Sequence, residues 1–193
     1  MLHVCTPLYR YENLPKIYKT IPNDSRIRWH LAYSSSVKEP NWRPASKDCR
    51  VVFYRVDCLD SEIYKKRNHI FDQINDGYFC LLDDDTVMHR NMFRLYKSCS
   101  ATEMRGMCVG KQVDWKGLTR LSHSPPIFRK IDTGNVLCHH SCLSECRWPS
   151  SHVDGVNHKD FLFWDSVYKF YGERFKPIKF PISIYNKLSS RRR

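Results

Sequence analysis

Three consecutive aspartates, Asp83 to Asp85, directly follow an apolar run at residues 78–82. Adjacent carboxylates repel one another unless a cation or several hydrogen-bond donors offset their charge. Oxygen-only ligands favour hard cations such as Mg²⁺ or Mn²⁺, which proteins usually hold with one or two carboxylates and the phosphates of a substrate. The segment therefore predicts a site for a divalent cation and a phosphorylated ligand. The alternative is a solvated turn, or a cap for a helix that begins near Asn91.

Two further side chains, Asp160 and Arg67, have both a chemical and a structural interpretation. Asp160 lies near the start of a predicted helix, where the helix dipole favours an ionised carboxylate that can accept a proton. With Asn157 it also has the spacing of a capping box, and spacing alone leaves the two roles open. Arg67 lies on the apolar face of another predicted helix and needs an acceptor there. That acceptor is either a structural carboxylate or strand-end carbonyl, or else a nucleotide or one of the clustered aspartates.

Strand-like runs alternate with helical patterns along the chain. Short β-branched and aromatic runs occur at residues 2–7, 26–33, 51–56, 78–82, 107–113 and 178–185. Helical patterns occur at residues 14–21, from Asp60 to about Asn75 with Gly77 closing the helix, and at 159–172, and loops are predicted at 117–126 and 147–158. The alternation predicts an α/β fold with a central, mostly parallel mixed sheet flanked by helices. Such sheets bind ligands at the carboxyl ends of their strands, which is where the aspartate cluster falls.

Composition narrows the classes of partner. The formal charge of +12 and the pI near 9.3 indicate an anionic partner, namely nucleic acid, a membrane surface or a phosphorylated small molecule. We expect residues 1–188 to form a single domain, followed by a basic tail or the start of a linker at 189–193. The sequence has neither an apolar run long enough to span a membrane nor a signal-peptide pattern, so a cytoplasmic location is expected.

Nine cysteines raise the question of disulfides and metal binding. Their odd number, and the position of several of them inside apolar runs, favour reduced thiols. Cys and His residues cluster at 137–146, but their CxxxC spacing differs from the CxxC of structural zinc sites. Packed thiols on a short helix are therefore favoured over zinc. The sequence contains neither a P-loop nor a dinucleotide-binding fingerprint.

The order of these segments resembles the GT-A glycosyltransferases, particularly the family-2-like members, over nearly the full chain. Residues 2–21, LHVCTPLYRYENLPKIYKTI, look like their first strand, Thr-Pro turn and helix. Residues 65–93 are similar to their Arg-Asn helix and metal-binding Asp-x-Asp strand. Residues 132–143 resemble the Gly-Asn strand on the acceptor side, and 157–172 the helix that opens with the catalytic base. The compact, basic and cysteine-rich chain further resembles the GT-A domains that large chlorella viruses encode for capsid glycosylation, which implies the host cytoplasm.

The resemblance implies a metal-dependent transfer of a sugar from a nucleotide-sugar donor, with a UDP-sugar favoured, to a hydroxyl of a glycan or glycoprotein. Asp83 and Asp85 would form the Asp-x-Asp motif, with Asp85 on Mn²⁺ or Mg²⁺, and Asp84 would contact the donor ribose or assist the other two. Asp160 would be the base that deprotonates the acceptor hydroxyl. The residues implied to line or bind the nucleoside are Thr6, Pro7, Leu8, Tyr9, Asp57 and Arg67. Those expected to meet the acceptor or donor sugar are Trp148, His152 and Asp154.

Two departures from the family pattern bear on these roles. The usual acidic pair after the second strand is replaced by LAYSSS at residues 31–36, which affects Asp57, and Lys159 replaces the acidic partner of Asp160. Two other classes of protein fit part of the sequence. A nucleotidyltransferase would use the same metal and carboxylates on a nucleoside triphosphate. A basic nucleic-acid-binding or zinc-stabilised module would depend on the net charge and the Cys/His cluster, although nucleic acid is the less favoured partner.

Overall fold

A computed structural model describes residues 1–44, 48, 50–121, 125–126, 131–150, 159–185 and 188. Two residues expected at the sugar, His152 and Asp154, lie outside the described residues, and so does Asn157.

The described residues form a nine-stranded sheet and four α-helices. The strands are β1 Leu2–Pro7, β2 Ile27–Ser34, β3 Val51–Val56, β4 Tyr78–Leu81, β5 Val87–Met88, β6 Met107–Val113, β7 Thr119–Leu121, β8 Val136–His139 and β9 Phe175–Ile184. The helices are α1 Leu14–Tyr18, α2 Ile63–Phe71, α3 Arg90–Ala101 and α4 Lys159–Tyr171. Short 3-10 helices occur at Tyr11–Asn13, Thr133–Asn135, His140–Ser144 and Gly172–Arg174.

The strand order is β3-β2-β1-β4-β8-β6-β9-β5, with β7 paired to β6. The first four strands are parallel neighbours, β8 runs antiparallel between β4 and β6, and β6 and β9 are again parallel. This mixed, mostly parallel sheet confirms the predicted fold class. The carboxyl ends of the four parallel strands meet at one edge, so the loops that follow them are brought together.

Different helices cover the two faces of the sheet. Alternate residues of β1 point to opposite faces, as the two-residue period of a strand requires. Val4 packs on the face with α1 and α3, whereas Cys5 packs on the face with α2 and α4. The helices of the second face include Arg67 and Asp160, so packing of this layer fixes both candidate site residues relative to β4. None of the helices in the described ranges is long and apolar enough to cross a membrane.

Three local predictions were wrong. Asp60 does not cap α2, which begins at Ile63, because its carboxylate accepts a hydrogen bond from Lys66 Nζ at 2.5 Å. That helix ends at Phe71 rather than near residue 75, so Gly77 does not close it. Gly77 instead has a φ of 63°, and a Cβ there would lie 2.1 Å from the Met1 carbonyl oxygen. Part of the predicted loop 117–126 is the strand β7.

The Cys/His cluster packs as buried thiols, as predicted. Cys138 and Cys142 have their sulfur atoms 3.6 Å apart, and Cys142 lies in a 3-10 helix. Burial raises the pKa of the Cys138 thiol well above its ordinary value. The eight cysteines in the described ranges are all free and buried.

Candidate active site

Asp84 joins the loop after β4 to the loop after β1. Its Oδ2 accepts hydrogen bonds from the main-chain N–H groups of Tyr9 and Arg10, at 2.5 and 2.6 Å. Its main-chain carbonyl accepts a third bond from Asn13 Nδ2 at 2.9 Å. Burial raises the pKa of Asp84 to about 6, against the opposing effect of the Arg10 contacts. Asp84 therefore holds the loop expected to contact the nucleoside in position.

Arg67 lies between the aspartate cluster and Asp160. Its Nη2 donates to Asp83 Oδ1 at 3.1 Å and its Nη1 donates to Asp160 Oδ1 at 3.2 Å. The guanidinium also lies over the Trp148 ring, 4.0 Å from the ring centroid. Its Nε is buried and has no hydrogen-bond partner among the described residues. The acceptors that the sequence required for Arg67 are thus Asp83, a candidate metal ligand, and Asp160, the candidate base.

Asp160 lies in the first turn of α4, and 41% of its side chain is exposed. Loss of water around the carboxyl raises its pKa, with Asp83 and Asp132 adding to the rise and Arg67 opposing it. A raised pKa makes a carboxylate a stronger base than a fully solvated one. The local environment therefore suits proton abstraction, and the ion pair with Arg67 fixes the direction of the carboxyl group.

The Trp148 ring packs against the Arg67 guanidinium. Only 3% of Trp148 is exposed, and its main-chain N–H and C=O pair with the side-chain amide of Asn68 at 2.8 and 3.0 Å. Because Asn68 follows Arg67 on α2, one helix positions both the guanidinium and the ring beneath it. The ring also packs on Phe163 of α4, with centroids 4.3 Å apart.

Asp85 forms an ion pair with Arg10. Arg10 Nη1 lies 2.6 Å from Asp85 Oδ2 and 3.2 Å from Asp84 Oδ1. Among the described residues, no three His, Cys, Asp or Glu side chains converge as a ready-made metal cage. The carboxylate oxygens of Asp83 and Asp85 nevertheless fit a hard divalent cation that takes its remaining ligands from water and phosphate.

Two adjoining cavities open beside these side chains. One of about 290 Å³ is lined by Pro7, Tyr9, Arg10, Ile63, Arg67, Asp83, Asp84, Asp85 and Tyr185. The other, of about 370 Å³, is lined by Ser61, Ile63, Tyr64, Arg67, Trp148, Lys159 and Asp160. Ile63 and Arg67 line both. The first therefore presents the aspartate cluster and the second presents Asp160.

Three residues predicted to contact the nucleoside are not among those that line the two cavities. Thr6 is fully buried, and its Oγ1 accepts a hydrogen bond from Trp29 Nε1 at 2.9 Å. Leu8 is also fully buried and packs in the core. Asp57 is exposed at the end of β3, bonded to Ser35 Oγ at 3.2 Å, and is not among the residues that line these two cavities. Neighbouring side chains of β1 point to opposite sides of the sheet. This alternation could have distinguished Thr6 from Pro7, and Pro7 does line a cavity.

Four residues at the site were not predicted from the sequence. Thr133 Oγ1 donates to Asp83 Oδ2 at 2.8 Å, and Tyr185 lines the cavity of the aspartates. Arg10 pairs with Asp85, and Lys66 is fully buried beside the loop after β1. The sequence carried no signal for Lys66, because lysine is almost never fully buried unless it is paired, and its partners come from other segments.

The described residues form a GT-A type fold. S. aureus TarS has this fold, and its fragment 1–349 in complex with UDP-GlcNAc matches with a TM-score of 0.73 and 11% identity. That match covers 98% of this chain and 59% of the TarS fragment. The structure of fragment 1–349 without a named ligand matches with a TM-score of 0.69 and 9% identity, and the match covers 95% of this chain and 60% of the fragment. The UDP complex matches with a TM-score of 0.63 and 11% identity, and the match covers 96% of this chain and 58% of the fragment.

This chain thus spans about 60% of the length of those TarS fragments. At this level of identity, the structural match shows a common fold and nothing more. No protein-family model matches the sequence, and no curated protein matches it.

Proposed function

We propose that the chain transfers a sugar from a nucleotide-sugar, with a UDP-sugar favoured, to a hydroxyl acceptor. The observation that carries the proposal is the ion-paired chain Asp83–Arg67–Asp160, which links two adjoining cavities at the carboxyl ends of parallel strands. Transfer needs a place for the diphosphate and a base for the acceptor, and the two cavities supply one each. The structures of TarS with UDP-GlcNAc and with UDP have the same fold, which favours uridine as the carrier.

In this proposal, the donor diphosphate lies in the cavity of the aspartate cluster. Asp83 and Asp85 would hold Mn²⁺ or Mg²⁺, which when bound supplies positive charge to the departing diphosphate. Arg67 and Arg10 line the same cavity and add positive charge there. Tyr9 is 57% exposed and forms part of the wall, so its ring is available to the nucleoside base.

The acceptor enters from the side of Asp160. Its carboxylate takes the proton of the acceptor hydroxyl as the oxygen attacks the anomeric carbon, and general-base assistance of this kind typically gives about 10²–10⁴-fold in rate. Arg67 holds the carboxyl group and Trp148 holds Arg67, so the base is kept in place by packing. A glycan or glycoprotein acceptor, and its identity as a viral capsid protein, rest on the sequence resemblance alone.

A test of transfer measures UDP release from UDP-glucose, UDP-galactose and UDP-GlcNAc in the presence of Mn²⁺ and simple sugar acceptors. We expect one donor to be consumed with formation of a glycoside. Pyrophosphate release from a nucleoside triphosphate, with no consumption of any nucleotide-sugar, would instead identify a nucleotidyltransferase.

A further inference from the structure

Arg10 occupies the face of Asp85 that a cation would need. Its Nη1 lies 2.6 Å from Asp85 Oδ2, and the other carboxylate oxygen of Asp85 accepts a hydrogen bond from Thr86 Oγ1 at 3.2 Å. Asp85 itself is only 7% exposed. A cation that takes Asp85 Oδ2 as a ligand must therefore displace the Arg10 guanidinium.

The contact between Arg10 and Asp85 is charged but poorly directed. Arg10 Nη1 is buried, yet it makes no well-aligned hydrogen bond within the described part of the chain. About a third of the Arg10 side chain is exposed, whereas its main-chain N–H is fixed by Asp84. The backbone of Arg10 is therefore anchored while its guanidinium is held by attraction alone, which another anion can replace.

The charge at the site indicates which ligands could replace it. The ion pairs in the described residues connect the carboxylates of Asp83, Asp84, Asp85 and Asp160 to only two guanidinium groups, those of Arg10 and Arg67. The formal charge of this cluster is −2, so it attracts a divalent cation. A diphosphate in the same cavity would give Arg10 a second anionic partner, because Arg10 lines that cavity.

We propose that Arg10 competes with the metal for the Asp85 carboxylate. It covers Asp85 in the free protein and turns to the donor diphosphate when nucleotide and metal bind together. This inference rests on the proposed function. It makes metal and nucleotide binding mutually dependent, and because such coupling is reciprocal, each ligand raises the affinity of the other by the same factor.

The test compares Mn²⁺ binding by the wild-type protein and by Arg10→Ala, measured without nucleotide from the electron paramagnetic resonance signal of free Mn²⁺. We expect Arg10→Ala to bind Mn²⁺ about tenfold more tightly, within the usual 5–150-fold range of coupling effects. Arg26→Ala is the matched control. It removes the same charge from an exposed pair with Asp24, just before β2 and at the opposite end of the strands, and should leave Mn²⁺ affinity unchanged.

A double variant tests whether the gain in Mn²⁺ affinity arises at Asp85. Arg10→Ala combined with Asp85→Asn should lose the gain in Mn²⁺ affinity, because the exposed ligand is gone. In the wild-type protein, UDP should raise Mn²⁺ affinity strongly, and in Arg10→Ala this increase should be smaller. Thermal unfolding of each variant reports whether the fold is retained.

Each outcome is decisive. Equal or weaker Mn²⁺ binding by folded Arg10→Ala would overturn the role of Arg10, even if the wild-type protein binds UDP. Failure of every variant to bind UDP would overturn the proposed function, while the Mn²⁺ comparison would still decide whether Arg10 competes for Asp85.

Discussion

At the scale of single residues, the site depends on carboxylates whose partners are distant in sequence. Asp83 and Asp160 lie on different elements and meet only through Arg67. The neighbouring Asp84 has a different environment, buried and bonded to two main-chain N–H groups. Three identical residues in succession therefore have different surroundings, although Asp84 and Asp85 share Arg10, and their roles are expected to differ accordingly.

Asp160→Asn tests the proposed base. The amide keeps the size of the carboxyl group and can still accept a hydrogen bond from Arg67, but it cannot take a proton at neutral pH. We expect nucleotide binding within about twofold of the wild-type value and transfer reduced by about 10²–10⁴-fold. Wild-type transfer by this variant would favour a purely structural role for Asp160 at the start of α4.

At this scale the need of Arg67 for a buried partner was predictable from the sequence, whereas the cation site stays a prediction. Consecutive aspartates after an apolar strand indicated a cation site, and a charged residue on an apolar helix face indicated a buried partner for Arg67. The pairing of Arg10 with Asp85 was not predictable, because it depends on the path of a loop that Asp84 holds from 74 residues away.

At the scale of elements, hydrogen bonds from Lys66 join two loops. Its Nζ is fully buried and donates to the Leu8 carbonyl at 2.7 Å, to the Asp60 carbonyl at 3.0 Å and to Asp60 Oδ1 at 2.5 Å. The loop after β1 and the segment before α2 are thus joined through one ammonium group. Both flank the cavity that is proposed to bind nucleotide.

Lys66→Met should destabilise the protein and loosen this cavity. Methionine fills similar space but leaves the Leu8 carbonyl and the Asp60 carboxylate without their donor, and each unsatisfied buried group costs about 1–3 kcal/mol. We expect urea denaturation to show a loss of that order in the free energy of unfolding, together with weaker UDP binding. Lys65→Met is the control, because Lys65 is exposed and pairs with Glu62; equal effects from both variants would contradict the assignment.

Strands were predicted more accurately than the ends of helices. The bounds of β1, β3 and β6 agree with the apolar runs. Burial on both faces gives β1 and β6 a continuous apolar pattern, whereas β3 is a half-buried edge strand. β7 was predicted as a loop because its three residues are largely exposed and pair only with β6. The start of α2 was misplaced because Asp60 has the side chain of a capping residue but binds Lys66 instead.

At the scale of the whole molecule, a buried pair of histidines makes stability depend on pH. His3 Nδ1 and His30 Nε2 are 2.9 Å apart between β1 and β2, His3 Nε2 is 2.8 Å from Asp76 Oδ1, and His30 Nδ1 is 2.9 Å from the Tyr54 hydroxyl. Burial lowers the pKa of both imidazoles, that of His30 to about 3. The folded protein therefore keeps His30 neutral at pH values where the unfolded chain is protonated.

The free energy of unfolding should fall as the pH is lowered from about 6.5 towards 3. Above pH 6.5 the His30 imidazole is neutral in both states, whereas below it the unfolded state binds the proton first and is favoured. At pH 5, His30 alone should lower the free energy of unfolding by about 2 kcal/mol relative to pH 7.5. Urea denaturation across this range measures the effect; His30→Phe should flatten the curve, and an unchanged slope would contradict the assignment.

The overall architecture was predictable because strand-like and helical segments alternate along the chain, which favours a single, mostly parallel sheet. The donor sugar and the acceptor were not predictable, because they depend on the shape of cavities formed by residues from five or more segments. The net charge of +12 indicated an anionic partner, but it could not distinguish a nucleotide from nucleic acid.

The most direct test is calorimetric titration of the protein with UDP, GDP, CDP and ADP, each with Mn²⁺ and again with excess EDTA, alongside Asp85→Ala. We predict that UDP binds selectively with Mn²⁺, and that chelation of the metal or removal of the Asp85 carboxylate abolishes this binding while Asp85→Ala remains folded. Absence of binding by any nucleoside diphosphate under either condition would contradict nucleotide-sugar transfer. UDP binding that is unchanged in Asp85→Ala with Mn²⁺ would contradict the assignment of the metal to Asp85.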